Sequence, residues 1–198
     1  NSKFEGIQQA DSITLDPHKT LFLPFGTGTI LIKNKEKSLK AFQYLADYMQ
    51  DTIDADEEIS PADISPEQTK HFRGMRMWLP LKLFGLKPFR AALEEKLYLT
   101  RYFYDKIKKI EGFEVGPEPE LSIAIFRYVP TNRKADSFNE KLIKAIQKDG
   151  RIFLSSTNIN DVFWIRIAVV SFRTHLVHIE LLLDIIEENV RKISIELN

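Results

Sequence analysis

Four consecutive residues, Asp16-Pro17-His18-Lys19, set a carboxylate, an imidazole and a primary amine between two apolar runs. A lysine amine condenses with an aldehyde to a Schiff base once desolvation or a neighbouring cation lowers its pKa. Held at the end of a strand, beside a histidine and shortly before Gly26 and Gly28, Lys19 can reach a fixed point in a cleft. The same spacing also suits an ordinary surface turn with one solvated lysine. Arg166 stands in the apolar run Trp164-Ile165-Arg166-Ile167-Ala168, where a charge is costly unless paired. Its guanidinium can grip a carboxylate bidentately, and a structural ion pair would satisfy it equally well. Gly26 and Gly28 permit a tight turn and close backbone approach to a ligand, or form a bare turn. His175 and His178 lie at i,i+3 spacing without an evident third metal ligand, so they read as a helix face. The acidic run from Asp54 to Glu58 lacks the glycine and final glutamate of a calcium loop and reads as solvated.

These side chains need elements to position them. Ser12–Leu15 and Thr29–Ile32 read as short buried strands flanking the lysine. Leu39, Phe42, Leu45, Ala46 and Met49 fit a short amphipathic helix or lid over 35–50. A long helix is expected from near Pro66 through Trp78, with Pro80 as a kink. Leu86-Lys87-Pro88 marks a boundary, and the next helix is expected from about Pro88 to Ile110 with Phe89, Leu93, Leu97, Tyr104 and Ile107 in its core. Strands are expected from Gly112 to Val115, Leu121 to Val129, Ile152 to Ser155 and Val162 to Val170. Between them Phe138, Leu142, Ile143 and Ile146 have helical spacing, ended by Asp149-Gly150. Ser171 or Thr174 can cap a last helix whose apolar positions are Leu176, Ile179, Leu182, Leu183, Ile186 and Val190. Strands separated by single helices indicate an α/β lobe of about 110 residues.

The 198 residues, 43% of them hydrophobic, can bury one substantial core or two small ones. Zero formal net charge gives no reason to expect nucleic acid or an anionic membrane as partner. The chain contains no cysteine, which excludes disulfides and thiolate metal sites and is compatible with a cytoplasmic location. The apolar stretch from Trp78 to Leu86 is broken by Pro80 and Lys82 and is far shorter than the roughly 20 residues of a membrane span. Asn1 to Glu5 shows no charged-then-apolar leader pattern.

The wording of several segments carries more than their spacing. Ala10-Asp11-Ser12 followed by Asp16-Pro17-His18-Lys19 resembles the lysine motif of the group II pyridoxal-phosphate-dependent amino acid decarboxylases. This family includes the aromatic amino acid, glutamate, histidine and diaminobutyrate enzymes. Phe72-Arg73-Gly74-Met75-Arg76-Met77-Trp78 is similar to its Arg-x-x-Lys/Arg-x-Trp segment, and Arg90-Ala91-Ala92-Leu93-Glu94 to the helix after it. Trp164 to Ala168 with Ser171-Phe172-Arg173-Thr174-His175 is similar to its C-terminal strand and helix start. The resemblance runs in order over essentially the whole chain. Thr20 in place of a usual tryptophan and Thr27 in place of a frequent cysteine or serine depart from the pattern near the lysine.

The resemblance implies an α/β chain that is the C-terminal part of a fold type I pyridoxal-phosphate enzyme. Residues 1–85 would be the end of the large cofactor domain with its mobile catalytic loop, and 86–198 the small C-terminal α/β domain. It implies pyridoxal 5'-phosphate as cofactor and Lys19 as its covalent anchor. His18 would lie against the phosphate, unless it is a strand-end histidine satisfied by backbone. Gly26 and Gly28 would approach the phosphate across a homodimer interface, and Arg166 would bind the substrate carboxylate. Tyr48 falls in register with the family's loop tyrosine, which protonates the α-carbon after decarboxylation; Tyr44 competes for that role, and a plain helix aromatic is the bland alternative. Family members are more than twice as long, and their pyridinium-pairing aspartate lies upstream of the lysine. Here only Glu5, Asp11 and Asp16 are acidic before Lys19, none in the Asp-x-Ala setting. The expected partners are therefore a missing N-terminal half, a second subunit and a small amino acid substrate, with aromatic side chains favoured. Alone, the chain is expected to be inactive. A split fragment serving only as an interaction partner, or a transaminase, are the competing readings.

Overall fold

The computed structural model describes residues 2–42, 59–67, 69–131 and 133–196. The chain divides into two compact units, Asn1–Gly85 and Leu86–Asn198.

In the first unit, β1 (Ser12–Leu15) pairs antiparallel with β2 (Thr29–Ile32), in register from Ser12↔Ile32 to Leu15↔Thr29. The one-turn helix α1 (Pro17–Thr20) lies in the connection between them. Both strands form where expected, yet Leu15, Ile30, Leu31 and Ile32 are exposed rather than buried. Two strands alone have two bare faces, and no described helix of this unit makes a substantial contact with them. Helix α2 (Lys35–Phe42) starts behind Asn34, whose Oδ1 accepts the amides of Glu36 and Lys37. Residues 43–58, with Tyr44, Tyr48 and the acidic run, lie outside the described residues.

Helix α3 spans Gly74–Phe84, not the stretch beginning at Pro66. Glu67 takes a bidentate pair of bonds from Arg73 at 2.5 and 3.1 Å. Residues six apart on one continuous helix would point well away from each other, so this contact belongs to a folded-back turn. Pro80 sits inside α3, and Gly85 ends it with φ +69° and its amide on the Leu81 carbonyl at 2.9 Å. None of the side chains of α3 is buried, Trp78, Leu83 and Phe84 included.

The second unit holds the core. Its antiparallel sheet runs in the order β3 (Phe113–Val115), β4 (Ile123–Tyr128), β6 (Val162–Ala168), β5 (Ser155–Ile159). Helices α4 (Lys87–Ile107) and α5 (Ala135–Asp149) pack on it, and α6 (Leu176–Glu196) packs against both helices. Strand alternation sorts the faces: Ala124↔Ile167 and Phe126↔Ile165 are buried under the helices, while Ile123↔Ala168 and Ile125↔Arg166 point to the other face. Phe103 meets Phe126 edge-on at 5.2 Å, with Phe113, Tyr128 and Phe138 extending the aromatic cluster. Strand β5 starts at Ser155 where the sequence suggested it would end, because the polar turn Asn160-Asp161, both with positive φ, sets the hairpin to β6.

The core stripe of α4 is Lys96, Leu99, Thr100, Phe103 and Ile107; of the expected positions Ile107 is buried, while Phe89, Leu93, Leu97 and Tyr104 lie one face round and are only half-buried. Apolar residues occupy two faces of this helix, and periodicity alone does not choose between them. Lys96 is 2% exposed. Its ammonium donates to Glu95 at 2.7 Å and to the carbonyls of Thr174 and Phe172, tying α4 to the segment before α6. Glu95 in turn meets His175 Nδ1 at 2.7 Å. The hydrogen bond from His175, then that from Lys96, holds the Glu95 carboxyl below its ordinary value. A carboxyl lowered in the fold stabilises above its unfolded pKa and ceases to do so as pH falls through the folded one. Glu95→Gln should therefore melt a few degrees lower near neutral pH, a deficit of about 1 kcal/mol at most for a partly exposed group. The deficit should close below about pH 4, which thermal melts across the acid range would measure.

Candidate active site

The lysine segment is built by short-range bonds. Buried Pro17 opens α1, its fixed φ suiting a first helical position. The Lys19 amide donates to the Asp16 carbonyl at 2.9 Å, and the amides of Leu21 and Leu23 return to the Pro17 carbonyl. Lys19 thus stands on a single helical turn just beyond β1 rather than on the strand end itself. Its side chain is 65% exposed and its Nζ meets Asp16 Oδ2 at 2.7 Å. That bond, more than the charges of Lys19 and His18, pulls the Asp16 carboxyl below the usual carboxylate range.

His18 faces the other way along the turn. Its Nδ1 lies 2.9 Å from the Thr27 carbonyl, which only accepts, so Nδ1 carries hydrogen and Nε2 is the ring atom available to a ligand. The His18 amide bonds the same carbonyl at 3.3 Å, and the ring meets Phe25 edge-on at 5.7 Å. Thr27 is buried and donates its hydroxyl to the Pro24 carbonyl at 2.7 Å. Gly26 has φ +81°, which glycine alone adopts without strain, and an added Cβ would lie 3.2 Å from the Arg76 guanidinium. Gly28 has open space around a notional Cβ and an ordinary φ, so nothing in this unit requires glycine there. Phe22 holds φ +57°, a conformation costing on the order of 1–3 kcal/mol that persists where the surroundings dictate it.

Lys19, His18 and Gly26 are therefore brought together in one loop. Arg166 belongs to the second unit, on the sheet face opposite the helices. It is half-buried, donates to Ser155 Oγ at 3.3 Å, and has no ion pair among the described residues. Among the described residues the ion pair considered from sequence is not made, and the guanidinium fork retains capacity for an anion. Tyr48 lies outside the described residues. His175 and His178 form no metal cluster among the described residues; His178 Nδ1 instead accepts the His175 amide at 3.1 Å, closing the first turn of α6 in place of the expected Ser171 or Thr174 cap. Arg76, with Arg73, reads from sequence as a cation for the dimer interface or for an acid of a missing half. It donates to the Phe25 carbonyl at 2.8 Å, fifty-one positions away.

The donor chemistry fits an aldehyde cofactor. A surface primary amine paired with Asp16 is the candidate for condensation, an imidazole nitrogen stands on the adjacent residue, and a loop with a left-handed glycine leads away from them.

Comparison with known proteins follows the same line. The pyridoxal-dependent decarboxylase conserved domain matches residues 1–129. An aromatic-L-amino-acid decarboxylase from Bacillus atrophaeus is 34% identical over 88% of this chain and 37% of its own length. An L-2,4-diaminobutyrate decarboxylase from Acinetobacter baumannii is 27% identical over 84% of this chain and 33% of its own. In fold, the crystal structure of Oryza sativa TDC with PLP and tryptamine superposes with a TM-score of 0.88 over 96% of this chain and 40% of that one, at 19% identity. The chain thus spans well under half the length of the proteins it matches. On the match across its first 129 residues, the chain belongs to the pyridoxal-dependent decarboxylase family.

Proposed function

We propose that this chain is the C-terminal portion of a pyridoxal-5'-phosphate-dependent amino acid decarboxylase. In this reading residues 1–85 end the cofactor domain and 86–198 form the small C-terminal domain. The single observation that supports it best is the exposed Lys19 amine on a loop braced by His18 and Thr27. The bound cofactor would supply an electron sink for the pair left behind when the substrate carboxylate departs as carbon dioxide.

The chain's own residues carry the rest. Lys19 would hold the cofactor covalently, its amine first leaving the Asp16 carboxylate and giving up its proton. His18 Nε2 and the backbone from Gly26 to Gly28 would hold its phosphate. Arg166 orients the substrate by its α-carboxylate through paired hydrogen bonds. Tyr48 returns a proton to the α-carbon after carbon dioxide leaves. An upstream portion of the polypeptide and a second subunit complete the pocket, and the substrate is a small amino acid, an aromatic one preferred.

Co-expression of this chain with its upstream complement, followed by assay of carbon dioxide and amine over a panel of amino acids, tests the reading. Equal amounts of the two products are expected, greatest with aromatic substrates. Tyr48→Phe should lower amine formation by on the order of a hundredfold. Cofactor binding without carbon dioxide release would leave only a non-catalytic scaffold, and a keto acid product would indicate transamination. Amine formation unchanged in Tyr48→Phe would remove the role given to that tyrosine.

A further inference from the structure

Helix α3 and the lysine loop are far apart in sequence, and Arg76 joins them. Its guanidinium donates to the Phe25 carbonyl at 2.8 Å. The same nitrogen lies where a Cβ on Gly26 would press at 3.2 Å, so absence of a side chain at 26 lets the guanidinium close on the turn. From Phe25 and Gly26 the chain of contacts runs on to Thr27, whose carbonyl receives both Nδ1 and the amide of His18. Phe25 also meets the His18 ring directly. His18 is covalently adjacent to Lys19.

We infer that Arg76 is a positioning residue for the cofactor-anchoring lysine, acting through the Phe25–Thr27 turn and His18. The inference rests on the reading of Lys19 given above. Local bonds tie α1 and the 24–27 turn to each other, and Arg76 supplies the bond that ties this pair to α3. A rigid helix that grips a carbonyl of that turn fixes where His18 stands, and through it the direction in which the amine is presented. Phe25 is 89% exposed, so its side chain contributes little burial to hold the turn. A charged donor to its carbonyl is the stronger constraint. The acceptor stands in solvent-accessible surroundings, so loss of the bond exposes a carbonyl to water and leaves the fold largely intact.

The test uses the protein assembled from this chain and its upstream complement. Apoprotein is exposed to pyridoxal 5'-phosphate, the adduct is reduced with borohydride to a stable secondary amine, and the rate of labelling at Lys19 is followed by peptide mass mapping. Arg76→Met is expected to slow Lys19 labelling about fivefold to tenfold, the scale of one solvent-exposed hydrogen bond lost. Its melting temperature should stay within a few degrees of the parent, and Arg76→Lys, which retains one donor, should restore most of the rate. Three results would overturn the inference: equal labelling of Arg76→Met and parent, a collapse in melting temperature that accounts for the lost labelling, or no recovery in Arg76→Lys. If Lys19 of the parent protein is not labelled at all, the functional reading itself fails. Normal labelling in every variant removes only the role of Arg76.

Discussion

Lys19→Ala should abolish covalent retention of pyridoxal 5'-phosphate and lower amine formation by about a thousandfold or more in the assembled enzyme. The size follows from what the residue supplies. No other primary amine stands in the loop from Asp16 to Gly28, so no neighbour can take over the condensation. Stability should hardly change, because the Lys19 side chain stands mostly in solvent and its partner Asp16 is half-exposed. A screened surface pair contributes little to folding. The measurement is paired: borohydride reduction followed by mass mapping of the peptide, and a thermal melt of the same sample. A cofactor retained covalently on a different lysine would sink the assignment, whatever happened to the activity.

Asn139→Leu should destabilise the second unit by about 3 kcal/mol, enough to lower its melting temperature by more than ten degrees. Asn139 is completely buried at the start of α5. Its Oδ1 accepts the Tyr128 amide at 2.9 Å and its Nδ2 donates to the Tyr128 carbonyl at 2.7 Å. A third bond reaches the Ala135 carbonyl one turn earlier. Pairing between β4 and β6 stops at Phe126↔Ile165, so Tyr128 has no strand neighbour on that side. One amide side chain supplies both bonds that a further strand residue would have made. Leucine matches its size but offers neither donor nor acceptor, leaving two backbone groups unpaired at about 1–3 kcal/mol each. Asn139→Asp tests the direction: it keeps the acceptor for the Tyr128 amide but turns a carboxylate toward two carbonyls. It should also destabilise, and less so as the carboxyl is protonated in acid. Melts of the three proteins distinguish this clasp from simple filling of space, for which leucine would be nearly neutral.

Both predictions bear on how much could be read in advance. The strands β1, β2, β4 and β6 and the helices α5 and α6 follow from alternation and 3.6-residue periodicity, and Gly150 ends α5 with φ +79° as its type suggests. Phe138, Leu142, Ile143 and Ile146 are buried as their spacing requires. Three features escaped. Helix α3 begins after a turn closed by Glu67 and Arg73, a contact that propensity does not encode. Lys96 occupies a core stripe because its ammonium finds a carboxylate and two carbonyls from a segment more than seventy residues later. The stripe Leu99-Phe103-Ile107, carried back one turn, does lead to it. Asn139 stands beside Phe138 with no pattern in the sequence that marks it as buried.

The amino-acid sequence by itself determined the candidate chemistry and the family: an Asp-Pro-His-Lys turn, an arginine set in an apolar strand, and enough ordered text around them to match over most of the chain. Those are properties of residue type and local spacing, and they survive without a fold. Tertiary structure decided which polar groups are shared between distant segments. It put Arg76 on the Phe25 carbonyl, Asn139 on Tyr128 and Lys96 on Thr174, and left Arg166 without an ion pair among the described residues. The reason is that a donor or acceptor, above all a buried one such as Asn139 or Lys96, bonds whatever partner the packed chain brings within about 3 Å, and that partner is fixed by the fold as a whole rather than by neighbours in sequence.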